Sequence, residues 1–127
     1  MPIVDSRTQD GLLVVEQLEE GQRIRCRLEG ELDLSNAGTA ELMLEEALNS
    51  KRPVLIDLSR LEFLDSTGIA LLVTALGRPE ARRIQFIPSE TPGVRRVLSL
   101  TGLEERLPYT SLGDQASLGD QTISPAA

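Results

Sequence analysis

Val54 to Leu76 reads VLIDLSRLEFLDSTGIALLVTAL, and its two ends obey different periodicities. Val54 to Leu58 is short, rich in branched side chains and almost continuously apolar, as a strand covered on both faces should be. Ile69, Leu72, Val73 and Leu76 instead recur at helical spacing. The tetrapeptide Asp65-Ser66-Thr67-Gly68 therefore stands where the chain stops being loop and becomes helix. The first turn of a helix presents unpaired N–H groups and the positive end of the peptide dipole. A hydroxyl at that point is expected to cap the helix, and a phosphate attached there would be electrostatically tolerated.

Upstream, Gly11 to Leu18 reads as a strand, and Glu19, Glu20 and Gly21 as a turn into a second run, Gln22 to Leu32. In that run Ile24, Cys26 and Leu28 alternate with Arg23, Arg25 and Arg27, which describes one arm of an antiparallel hairpin with an apolar face and a wet, charged face. The alternation ends in GELD, Gly30 to Asp33, after which Ser35 or Asn36 is placed to cap a helix running to about Leu48. Leu44 and Leu48 lie one turn apart on it, with Ala37, Ala40 and Ala47 small enough for close packing. Arg52 and Pro53 lead into the Val54 strand. A strand reached through a helix implies a parallel, right-handed crossover.

Downstream, Gly77 and Pro79 break the central helix, and Ile84 to Pro88 reads as a short apolar strand. Thr91 as N-cap and Pro92 at the first helical position open a last helix through Val94, Val97, Leu98 and Leu100, with Gly102 as its stop. The order β, β, α, β, α, β, α predicts an α/β (α+β) domain: a small mixed sheet of four to five strands packed against helices. Residues 1–10 read as an N-terminal extension, 11–108 as the domain, and 109–127 as a flexible or loosely docked tail. The tail carries SLGDQ twice and contains no Lys or Arg.

Composition narrows the functional classes. At 127 residues and 40% hydrophobic content, one core can be filled, and with only Phe63, Phe86 and Tyr109 as aromatics that core must be aliphatic. The scarcity of aromatics removes a stacking platform for bases, and a net charge of −7 opposes binding to nucleic acid or to an anionic membrane. Cys26, the only cysteine, forbids an intramolecular disulfide and fits a small core residue. The start of the sequence has neither a basic region nor an apolar run, so a cytoplasmic location is expected. No histidine is present, Lys51 is the only lysine, and there is no GxSxG elbow, so a Ser-His-Asp triad cannot be built. Asp33, Asp57 and Asp65 are each explained by loop and cap roles rather than as ligands of a hydrolytic metal. The chain is expected not to be an enzyme and to need no cofactor or metal.

GELD followed by LIDLSRLEFLDSTGIALL, in that order and with those apolar flanks, resembles the STAS domain of bacterial anti-sigma factor antagonists, over about Leu12 to Leu107. The resemblance implies a phosphoacceptor at Ser66, with Thr67 as a secondary candidate. It also implies a docking surface made by Asp33, Asp65, Ser66, Thr67, Gly68 and Ile69. The implied partners are an anti-sigma factor serine/threonine kinase, which the unphosphorylated form binds so that a sigma factor is released, and a metal-dependent serine phosphatase that resets the cycle. Under this reading, binding to nucleic acid or membrane is not direct. The alternative is a STAS scaffold or transport-system partner subunit that does not switch. An acidic GELD loop beside an intact hydroxyl favours the switch.

Overall fold

The computed structural model describes residues 5–110, which form a single five-stranded mixed sheet with three α-helices. The strands are β1 (Ser6–Asp10), β2 (Leu13–Glu20), β3 (Arg23–Leu32), β4 (Val54–Leu64) and β5 (Ile84–Ile87), lying side by side in chain order. Helix α1 (Ala37–Asn49) joins β3 to β4, α2 (Ser66–Leu76) joins β4 to β5, and α3 (Pro92–Leu100) follows β5. The first three strands pair antiparallel, whereas β3–β4 and β4–β5 are parallel, as the helical crossovers require.

Alternation along β3 and β4 sorts the sheet into two faces. Ile24, Cys26, Leu28, Val54, Ile56 and Leu58 join one apolar cluster with Ala40, Leu44 and Leu48 of α1, Leu72 and Ala75 of α2, and Val94 and Leu98 of α3. Cys26 is fully buried in that cluster, and desolvation, with Glu46 adding to it, pushes its thiol pKa up to about 12. It is a packing residue.

Three differences from the sequence expectation have physical causes. Residues 6–10, taken as part of an extension, form β1 and pair with β2 from Ser6↔Gln17 to Asp10↔Leu13. An edge strand needs only backbone pairing, so the polar SRTQD carries no apolar signal. Second, β4 does not end at Leu58 but continues to Leu64, beside a β3 that is irregular at Arg27/Glu29 and Gly30/Glu31. Gly30 sits there at φ +102°, where a Cβ would lie 2.1 Å from the Leu12 carbonyl oxygen, so only glycine fits. Third, Tyr109 and Thr110, placed in the tail, pair with β5: Thr110 N–H donates to the Phe86 carbonyl at 2.9 Å. The SLGDQ copies lie outside the described residues.

The charged face of the hairpin is less wet than its alternation suggests. Arg7, Glu16, Arg27 and Asp57 are successive cross-strand neighbours, and Arg27 bridges Glu16 and Asp57 at 3.3 Å each. Asp57, expected in a loop or cap role, is instead 0% exposed within β4. Its Oδ2 accepts from Arg25 Nη2 at 2.8 Å, and its Oδ1 accepts the Ser59 N–H at 2.9 Å. Burial alone would raise the Asp57 pKa, but the Ser59 hydrogen bonds and the Arg25 guanidinium outweigh it and hold the carboxyl below its ordinary value.

Candidate functional site

Parallel β3 and β4 end together, with Leu32 paired to Leu64, so the loops that follow them emerge side by side at one end of the sheet. One connection carries Asp33, and the other runs through Asp65 straight into Ser66 to Gly68, the first turn of α2. A crevice outside the carboxyl ends of parallel strands is where α/β sheets place their functional loops.

Asp65 organises this end. It is the N-cap of α2 in extended conformation, and its Oδ1 accepts the N–H groups of Thr67 at 2.9 Å and Gly68 at 3.2 Å. Its Oδ2 accepts the N–H of Leu34, in the loop after β3, at 3.3 Å. A further link runs from the Asp65 N–H to the Leu32 carbonyl at 3.2 Å. Of the carboxylate and the hydroxyl that the sequence allowed as caps, the carboxylate does the capping: Asp offers two oxygens, one for its own helix and one for the neighbouring loop. Ser66 becomes the first helical residue, exposed and without a capping role, while Thr67 is half-buried.

Gly68 is buried, and the reason is steric. A Cβ there would stand 3.1 Å from Leu32 Cδ2 and 3.1 Å from Leu64 Cβ, so its absence lets the first turn of α2 settle on the ends of both strands. Ile69 is partly buried against the core, and Leu72 is fully within it.

The Asp33 loop is held by its own bonds. Asp33 Oδ1 accepts the Ser35 N–H at 3.0 Å and the Ser35 hydroxyl at 2.6 Å, while its carbonyl accepts from Asn36 and Ala37. Asn36 occupies the N-cap position of α1, yet its side chain makes no capping bond. It turns back instead, accepting the Asp33 N–H at 2.9 Å and donating to the Glu31 carbonyl at 3.0 Å. Leu34 is left 78% exposed. Asp33 and Asp65 are thereby brought to one surface through Leu34, with Ser66 beside them.

Sequence reasoning missed two neighbours, Leu34 and Phe63, which are exposed apolar side chains at this same end. Neither has a periodic signal, because one lies in a loop and the other beyond the β3–β4 irregularity. Between α1 and α2 runs a groove of about 170 Å³ lined by Ala37, Glu41, Thr67, Ala70, Leu71 and Thr74. Among the described residues no group of His, Cys, Asp or Glu is arranged to hold a metal ion, and no helix is long and apolar enough to cross a membrane. The arrangement offers a rigidly placed, accessible hydroxyl with acidic and apolar neighbours.

A family model described as the Mlab STAS domain matches residues 15–112. An anti-sigma factor antagonist from Mycobacterium paratuberculosis is similar in structure at a TM-score of 0.71 and 25% identity, covering 85% of this chain and 95% of that one. The anti-sigma factor antagonist SpoIIAA in its unphosphorylated form gives 0.62 at 19% identity, over 87% of this chain and 99% of that one. The Bacillus cell fate determinant SpoIIAA in its phosphorylated form gives 0.56 at 21%, over 83% and 96%. The two SpoIIAA likenesses speak to the fold.

Proposed function

The chain belongs to the STAS-domain family, and from that premise we propose that it is an anti-sigma factor antagonist switched by phosphorylation of Ser66. In its unphosphorylated form it binds an anti-sigma factor serine kinase and so frees a sigma factor. Modification ends that binding, and a metal-dependent phosphatase reverses it. The carrying observation is the division of labour at the start of α2: Asp65 does the capping, and Ser66 is exposed beside it with its hydroxyl free of that task.

The chemistry asks little of this chain. The kinase supplies ATP, Mg²⁺ and the base that takes the hydroxyl proton. Ser66 Oγ forms a bond to the γ-phosphorus as the bond to the ADP oxygen breaks. The added group brings about −1.5 to −2 charges at neutral pH. The helix dipole favours it by up to about 1 kcal/mol at an exposed end, but the adjacent Asp65 carboxylate already holds the Thr67 and Gly68 N–H groups and opposes it. Both terms act at an exposed helix end, where solvent weakens them, so the fold survives. A partner surface packed over Ser66 would have to desolvate a dianion, and that contact is lost.

The test is intact-mass and site-mapping analysis after incubation with ATP and each anti-sigma-type serine kinase of the source genome, beside Ser66→Ala. A single phosphate that maps to Ser66 and vanishes in the variant is expected. Ser66→Ala should bind the kinase and resist modification, whereas Ser66→Asp should bind poorly. Binding without modification would overturn the switch and favour a non-switching scaffold or transport-partner subunit.

A further inference from the structure

Helices α1, α2 and α3 all pack on the sheet face that carries Ile24, Cys26, Ile56 and Phe86. On the opposite face one row of side chains crosses the whole sheet. Arg7, Glu16, Arg27, Asp57 and Ile87 are successive cross-strand partners, and Thr110 follows beside Ile87, one residue beyond the bridge between Phe86 and Tyr109. Where such a face meets water, the two ends of the row should be its wettest positions. Arg7 behaves so, with its side chain 60% exposed. The other end does not: Asp57, Ile87 and Thr110 are 0%, 3% and 7% exposed, and Leu55, on the same face of β4, is 1% exposed. Arg25 and Arg27 reach over Asp57. Leu55 and Ile87, however, stand outside the apolar cluster beneath the helices. Two oxygens of this face, Glu20 Oε1 and Thr110 Oγ1, are also buried with no hydrogen-bond partner among the described residues. Buried oxygens are seldom left so, and a pair of them beside dry apolar side chains marks a covering neighbour.

We propose that the helix-free face of the sheet is a docking surface for the chain's own C-terminal segment, residues 111–127, which crosses it from the Thr110 edge over Ile87 and Leu55. The segment begins at the dry end of the row, held there by the Thr110 N–H bond to the Phe86 carbonyl. Extended, it can span about 55 Å, whereas the sheet from β5 to β1 measures only about 20 Å across. Leu112, Leu118 and Ile123 give it apolar side chains to set against Ile87 and Leu55. Its only charged side chains are Asp114 and Asp120, and the row ends on an exposed cation, Arg7. Its backbone supplies the N–H and C=O groups that Glu20 Oε1 and Thr110 Oγ1 lack. Residues 1–4 are less suited, because they enter beside β1, at the Arg7 end that stays exposed. The docking does not depend on the reading of Ser66. It places a second interaction surface across the sheet from α2, and a partner that binds there must first displace the segment.

The experiment is methyl NOE spectroscopy on the full chain, at a concentration where sedimentation gives a monomer, beside the double variant Leu112→Asp/Leu118→Asp. NOEs from the Leu112 or Leu118 methyls to those of Ile87 or Leu55 are expected. The double variant should lose them and fall in Tm by about 4 °C or more, while the methyl shifts of Leu72 and Leu98 under the helices stay in place. NOEs to Ile87 and Leu55 that come only from Ile3 or Val4 would overturn the proposal by giving the face to the N-terminal residues. NOEs seen only between differently labelled chains in a mixed sample would overturn it in favour of a second copy. The absence of any NOE from residues 111–127 to these methyls, or a double variant with the wild-type Tm, would overturn it as well.

Discussion

Asp65 Oδ2 accepts the backbone N–H of Leu34 at 3.3 Å, and through that bond the loops after β3 and β4 behave as one surface. The same carboxylate caps α2 with its other oxygen. Asp65→Ala should therefore lose both functions and cost about 1–2 kcal/mol, the range of a lost N-cap. Asp65→Asn keeps an oxygen for the cap but turns an amide donor toward the Leu34 N–H, so it should keep the helix start and release the loop. Amide hydrogen exchange distinguishes them: Leu34 should lose protection in both variants, and Thr67 and Gly68 only in Asp65→Ala. Unchanged Leu34 protection in Asp65→Asn would contradict the coupling.

Gly68 and Gly93 are both helical glycines, and replacing them by Ala should have opposite effects. At Gly68 a Cβ meets Leu32 and Leu64 at 3.1 Å, and the Leu64 contact is to a Cβ that cannot rotate away. Overpacking of this kind costs about 1–3 kcal/mol and outweighs the helix-propensity gain of about 1 kcal/mol. Gly93 in α3 has nothing within 4 Å of the corresponding position. Gly93→Ala should stabilise by about 0.5–1 kcal/mol. Urea midpoints at constant m decide both, and a stabilised Gly68→Ala would show that α2 does not seat as closely as described.

What could be read from the chain followed from periodicity and punctuation. The alternation of Ile24, Cys26 and Leu28, the apolar run from Val54 and the Thr91-Pro92 helix start each have a local cause, and each element begins within a residue of where it was expected, although the Val54 strand runs on past Leu58 to Leu64. Ser6–Asp10 escaped notice because an exposed edge strand needs no apolar side chains: it is held by backbone pairing and the polar Arg7–Glu16 contact at 3.5 Å. The choice of cap stayed open between carboxylate and hydroxyl for a subtler reason. Asp65 and Ser66 are both good caps, and only the nearness of Leu34, 31 positions earlier in sequence, makes the two-oxygen side chain the better one. Asp57 was misread for the same kind of reason, since its partners Arg25 and Arg27 lie on the neighbouring strand. Long-range hydrogen bonding decided which polar residue did what, while local pattern decided where the elements fell.

The Arg25–Asp57 pair predicts a pH-dependent mutant effect. Asp57 is buried and its pKa is lowered on folding, so its contribution is complete above the ordinary carboxylate value of about 4 and is lost as pH falls through the lower folded value. Arg25→Met strands a buried carboxylate whose remaining cationic partner is Arg27 at 3.3 Å, beside the Ser59 hydrogen bonds. At pH 7 it should cost about 3 kcal/mol. Towards pH 3 Asp57 protonates in the variant before it does so in the wild type, and the stability gap should narrow. Urea denaturation across that range reads the gap directly. A gap constant with pH would mean that the pair does not hold Asp57 ionised.

Tyr109 offers a titration that no other residue can mimic, because the sequence has one Tyr and no Trp. Its hydroxyl donates to Glu104 Oε1 at 3.1 Å, where Arg95 also approaches Glu104 at 3.5 Å. Desolvation, then the Glu104 charge and hydrogen bond, push the phenol above its ordinary value, while Arg95 pulls it back. Phenolate absorbance should therefore rise only well above about pH 10 in the folded protein. Glu104→Gln should lower the midpoint without returning it to the ordinary value, since burial persists, and Arg95→Gln should raise it. The sign for stability follows: the neutral phenol's contribution is complete below the unfolded value of about 10 and is lost as pH rises towards the folded one. Glu104→Gln should flatten that alkaline loss. A wild-type midpoint at the ordinary value would place Tyr109 in solvent and detach the Pro108 to Thr110 segment from the edge of β5, where Thr110 N–H now donates to Phe86 at 2.9 Å.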